Sequence, residues 1–265
     1  MQYCMSAREP HSKAPSTTHF SFPLHQSPPL PTGNMAPTNV LTLNAHAAKL
    51  IQEGSFQKAS LVLRVALDAL AGSIPHQSKS KPPGKISVPA NRVTKPLLPI
   101  RSVPSFKHVF PCQDRQAFVM FDHALYMEET DPNAMSSGLR QNTTAVIILY
   151  NLGLVYQLQG IRNLYEQKVC FENAMKAYRK AVAILEKSSD SGIEMESLVY
   201  LSVLNNMGHI YSHFSEERAV QWCLDWLQFI LVVGPASEGD FSEDYLTFRM
   251  NVVTLRGQKT AAASA

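Results

Sequence analysis

No stretch of this chain approaches 18 uninterrupted apolar residues. The richest, residues 145–156, is broken by Asn151 and Gly153, so no membrane span is expected. The N-terminus lacks the continuous apolar core of a signal peptide. The four cysteines, Cys4, Cys112, Cys170 and Cys223, stand far apart with no Cys-x-x-Cys pair. That leaves neither a zinc-type spacing nor a disulfide framework, and a cytoplasmic or nuclear setting is the simpler expectation. No glycine-rich phosphate loop, nucleophile elbow or pair of catalytic carboxylates is present, so neither an enzyme, a cofactor nor a small-molecule substrate is expected. Proline is scarce outside two segments: of 17, seven fall in residues 1–37 and eight in 75–111. Acid is missing from the second segment, where residues 75–113 carry seven Lys or Arg and no Asp or Glu, more than the whole net charge of +3.

Helical periodicity fills most of what remains. Leu43, Ala47, Leu50 and Ile51 line one face, Gly54 breaks it, and Ala59, Leu63, Ala66 and Leu70 line the next. Residues 143–160 and 163–187 form a second helical pair, in which Leu164, Phe171, Tyr178 and Leu185 recur every seven residues. A third pair begins near Glu194, and its second helix spans about 216–232. There Leu204, Met207-Gly208 and Tyr211 repeat Leu149, Leu152-Gly153 and Tyr156 at an offset of 55 residues. Trp222 and Trp226, one turn apart on the last of these helices, read as core. Residues 134–142 read as loop. The alternation of Leu246, Phe248, Met250 and Val252 with Thr247, Arg249 and Asn251 reads as a strand. A lone strand leaves backbone groups unpaired, and the aromatic-rich segment 117–127 is its expected partner.

The order Leu152-Gly153, Tyr156, Gly160, Ala174, Tyr178 and Ala181 resembles the signature of the tetratricopeptide family, a helical repeat. The resemblance covers about residues 38–72, 143–188 and 195–233. It implies a mainly α fold, a right-handed stack of three αα-hairpins or tetratricopeptide-like α-solenoid; the strand reading adds a two-stranded β ribbon pairing 117–127 with 244–254 beside it. The expected organisation is a disordered tail at 1–37 and a helical domain over 38–256, interrupted by a disordered basic insert at 73–113. A second disordered tail follows at 257–265.

Carried over residue by residue, the family's ligand groove would be lined by Asn44, Ala48, Tyr150, Leu154, Gln157, Asn205, His209 and Ser212. The set carries no formal charge, and its amides suit the backbone of an extended, uncharged peptide. The alternative is that the insert, tail or ribbon fills the groove. Members of the family that hold a terminal carboxylate do so with Lys, Asn and Arg. Here Asn151 matches the asparagine, but Asn44, Ala48, Ser202 and Asn206 occupy the other places, so a carboxylate would meet no cation. The expected function is a non-enzymatic adaptor or scaffold whose partner is another protein or an extended peptide.

Two other readings carry their own signals. His209 and His213 lie one helical turn apart with Glu216 nearby, a spacing that can chelate a metal, although the His-Glu-x-x-His form is absent. The basic 75–113 insert could instead touch nucleic acid or a membrane surface, and within it Pro96-Leu-Leu-Pro99-Ile-Arg101 has the form that polyproline-binding grooves read. Solvated histidines and a solvated linker are the simpler readings of the two.

Overall fold

The structure, a computed structural model, describes residues 40–72, 100–105, 118–128, 137–190, 197–233 and 243–263, with backbone alone at a few helix ends. Seven helices and two short strands make up the described residues. The tail at 1–37, most of the 73–113 insert and the Pro96-to-Pro99 motif lie outside them.

The helices follow from two kinds of sequence. Helix α2 (Phe56–Gly72) buries Phe56, Ala59, Leu63, Ala66 and Leu70, and α4 (Gln167–Asp190) buries Phe171, Ala174, Tyr178, Ala181 and Leu185. Steps of three and four give each a single inward seam and a solvated back. Helix α1 (Val40–Gln52) is built the same way, burying Leu41, Asn44, Ala47, Ala48 and Ile51, whereas α3 (Ser137–Arg162) and α5 (Ser197–His213) bury far more of their circumference; every residue from Val146 to Val155 in α3 and from Leu201 to Gly208 in α5 is buried. A helix apolar nearly all round belongs inside. Accordingly α3 packs against α1, α2, α4 and α5. By length and composition α3 could cross a membrane, against the reading from uninterrupted runs, but 78% of its apolar window is buried inside the fold.

Helices pair in sequence order: α1 with α2, α3 with α4, and α5 with α6 (Glu217–Val233). The turns between α1 and α2 and between α5 and α6 share one construction. In the first, the Ser55 N–H bonds the Leu50 carbonyl and Gly54 adopts φ 74°; in the second, the Glu216 N–H bonds the Tyr211 carbonyl and Ser215 adopts φ 57°. Both are left-handed caps that satisfy the last free carbonyls of a helix.

The sheet corrects three expectations. Strand β2 (His123–Met127) does lie in the aromatic segment, but its antiparallel partner is β1 (Ile100–Pro104), in register Ile100↔Met127, Ser102↔Leu125 and Pro104↔His123. The partner thus comes from inside the insert expected to lack structure. Residues 244–254 form no strand; they belong to helix α7 (Glu243–Ala263), which also replaces the start of the disordered tail expected at 257–265. The alternating pattern misled because burial there follows helical steps: Phe248 and Asn251 face inward, while Leu246 and Met250 are more than half exposed. Residues 137–142 likewise extend α3 instead of forming a loop. Trp222 and Trp226 are about 40% exposed, on the outer face of α6, and not core.

Candidate functional site

Segment 118–127 runs extended across α1, α3, α5 and α7, and asparagine side chains hold it by its backbone. Three rungs share one plan. At the first, the Leu125 N–H donates to Asn151 Oδ1 (2.9 Å), and Asn151 Nδ2 donates both to the Leu125 carbonyl (2.6 Å) and to Asn44 Oδ1 (2.9 Å); Asn44 Nδ2 donates to that same carbonyl (3.1 Å). At the third, Asn251 treats Val119 the same way (2.7 Å to both groups), with Asn205 in the supporting place, 3.0 Å from the carbonyl and 2.7 Å from Asn251. At the middle, Asn206 takes the Phe121 N–H and donates to its carbonyl, both at 2.9 Å. There Tyr150 stands where the other rungs have a supporting asparagine. Its hydroxyl donates to the His123 carbonyl (2.8 Å), lies 3.3 Å from the Phe121 carbonyl, and is 3.5 Å from Asn206 Nδ2.

The physical reason for asparagine is that its amide is a peptide group on a short arm, with an acceptor and two donors. An extended strand turns the backbone groups of alternate residues to opposite edges. Leu125 turns both of its groups to Asn151, so its neighbours face β1; the Asp122 carbonyl, accepting from the Ser105 N–H at 2.9 Å, follows the same alternation. Over residues 122–127 one edge of the segment is closed by a strand, and the ladder closes the other edge from Val119 to Leu125. An unpaired buried backbone group costs about 1–3 kcal/mol, which is what each rung removes twice.

A second layer braces the ladder. Tyr178, whose hydroxyl lies 3.3 Å from Asn206 Nδ2, donates to Gln157 Oε1 (2.8 Å), and Gln157 Nε2 bonds His209 Nδ1 (2.9 Å). Burial pushes the His209 pKa down to about 4, with His213 adding to the shift, so the ring is neutral and accepts at Nδ1. The Tyr178 and Tyr150 hydroxyls are held protonated, chiefly by burial.

Packing selects side chains as well. Phe118, Phe121, Ala124, Leu125 and Met127 are fully or nearly buried. Phe121 sits 4.8 Å from the Phe248 ring. Phe118 lies over Gly208, where a Cβ would come within 2.5 Å of its ring.

Of the residues expected to line a groove, Asn44, Tyr150 and Asn205 join the ladder, and Gln157 and His209 brace it. Ala48 and Leu154 are buried apolar packing, and Ser212 lies half-buried toward the end of α5. The backbone that these ladder residues hold belongs to the chain itself. Three ladder residues were absent from that set. Asn151 and Asn206 each stand two before the glycine of the internal repeat, a signal present in the sequence but weighed only against carboxylate binding. Asn251 was hidden by the strand reading of α7.

Two further groupings carry titratable side chains. His213 is exposed, packing edge-on to Phe171 at 5.0 Å, and no group of three potential metal ligands occurs among the described residues. Ser102, His123 and Asp244 meet where the ribbon touches α7, yet Ser102 Oγ (2.6 Å) and His123 Nδ1 (2.7 Å) both bond Asp244. The Ser102 hydroxyl thus donates to the carboxylate and not to the imidazole, unlike the serine of a Ser-His-Asp triad. Burial opposes the charge of Asp244, but these bonds outweigh it and hold the carboxyl below its usual range.

Fold and site together define a mainly helical protein that grips an extended segment by its main chain. No protein-family model matches the chain, and neither a curated protein nor a solved structure does.

Proposed function

We propose that the protein is a non-enzymatic adaptor whose tetratricopeptide-like groove binds extended polypeptide. The observation that carries this reading is the ladder: Asn151, Asn206 and Asn251 each address both backbone groups of one residue in an extended chain. Such a grip recognises main chain before side chain, which is what a peptide-binding groove needs. Pairing of successive helices, and the supporting residues Asn44, Tyr150 and Asn205 at matching places, favour a repeat stack on which α7 packs after α6. The groove carries no cation clamp, so its ligand is held along its length and not by a terminal carboxylate.

Affinity capture from the native extract tests this, comparing wild type with Asn206→Ala/Asn251→Ala and with Trp226→Ala/Phe229→Ala on the exposed face of α6. The groove reading expects a partner lost only with the asparagine pair. Loss only with the α6 pair moves the contact to the outer face, and absence of any reproducible partner removes the adaptor reading.

A further inference from the structure

The geometry points to segment 118–127 being the resident occupant of a peptide site, one that accepts an equivalent extended segment of another protein in trans. This rests on the adaptor reading and names the ligand class of the same groove.

Topology is the first support. Although residues 73–136 separate them, α2 packs directly on α3, as α4 does on α5 and α6 on α7. The helical stack is therefore continuous without the ribbon, which enters as an excursion between two hairpins. Hydrogen bonding is the second. The rungs reach only backbone groups, those of Val119, Phe121 and Leu125 and the His123 carbonyl, so another chain in the same extended conformation would receive the same bonds. Packing is the third, because it states which chains qualify. Phe118 fills the space left by Gly208 and Phe121 meets Phe248, whereas Val119 is exposed and Met120 and Asp122 are only partly buried.

The ligand class follows. It is an extended segment with aromatic residues three apart, then a small residue three further on, Leu next and Met two beyond. Proline is excluded at the three rung positions, because it has no N–H to give. Charge is disfavoured at the aromatic, small, Leu and Met positions, because those side chains are buried.

The test uses the full chain and a fluorescein-labelled peptide of residues 117–128. Phe118→Ala/Phe121→Ala weakens the resident segment through its side chains. Val119→Pro does so by removing one rung N–H while leaving the buried side chains in place. Fluorescence anisotropy at equilibrium should show the peptide binding at least tenfold tighter to these variants than to wild type. Adding Asn206→Ala should reverse at least tenfold of that gain. Equal binding to wild type and variants would place the peptide elsewhere and overturn the proposal. So would no binding to variants that keep their helical circular dichroism, or loss of that signal in both variants, which would make the segment indispensable core. A variant that dimerises and ignores the peptide assigns the exchange to a second copy, also against the proposal. If the peptide fails while a captured partner still depends on Asn206 and Asn251, the adaptor reading survives and this inference does not; peptide binding with no captured partner gives the reverse.

Discussion

Helices α3 and α5 carry nearly the same short sequence and use it on different neighbours. Leu149, Asn151, Gly153 and Tyr156 correspond to Leu204, Asn206, Gly208 and Tyr211. Both asparagines hold the extended segment, at Leu125 and at Phe121. The glycines diverge: Gly153 makes room for the Tyr178 ring of its own hairpin's second helix, and Gly208 for Phe118 of the inserted segment. Leu154 of α3 is plain core, but its counterpart His209 reaches across to Gln157 of α3. Two similar helices can thus share a backbone-reading residue while the small residue of each serves whatever the tertiary structure brings alongside.

The largest effect expected from breaking this likeness is at the asparagines. Asn206→Ala leaves both the Phe121 N–H and most of the bonding to its carbonyl unmade, a loss of about 3–4 kcal/mol. Asn151→Ala should cost only about 2 kcal/mol, because Asn44 still serves the Leu125 carbonyl. Urea denaturation of the two variants compares them directly, and equal losses would show that the rungs are not independent.

Next comes His209. Its native pKa of about 4 lies below the ordinary value of 6.5, so between those values the unfolded chain binds a proton that the native chain does not. Stability should therefore fall as pH drops from 6.5 to 4, by at most about 3 kcal/mol. His209→Leu, which makes α5 copy α3, should flatten that part of the Tm profile; an unchanged slope would locate the titrating group elsewhere.

The glycines give a smaller and more discriminating contrast. Gly208→Ala should cost about 1–2 kcal/mol by overpacking Phe118. Phe118→Leu should relieve part of that cost in a double-mutant cycle, and should do nothing for Gly153→Ala, whose obstacle is Tyr178. Smallest of all is the cap. Ser215 holds φ 57° where the matching turn after α1 has Gly54, so Ser215→Gly should stabilise by roughly 0.5–1 kcal/mol, visible as a raised Tm.

Much of the scaffold was legible in the sequence. The seams of α2 and α4, the turn at Gly54 and the 55-residue likeness of α3 and α5 all come from local spacing, which the chain carries wherever it is placed. Helix α7 was not legible. Its apolar residues fit a period of two as well as a helix, and only contact with Phe121 and Val119 turns Phe248 and Asn251 inward. Strand β1 was also hidden, because five residues inside a basic, proline-rich stretch become a strand only once β2 offers an edge.

The candidate site divides in the same way. Its amide character and lack of charge were fixed by Asn44, Asn205 and Gln157, since side-chain chemistry needs no fold to be read. What the amides hold was decided by tertiary structure alone. An asparagine can donate to a partner peptide or to its own chain with equal ease, and its sequence position does not distinguish them. The insertion between α2 and α3 lays residues 118–127 across α1, α3, α5 and α7, and that placement turns four scattered helices into one ladder.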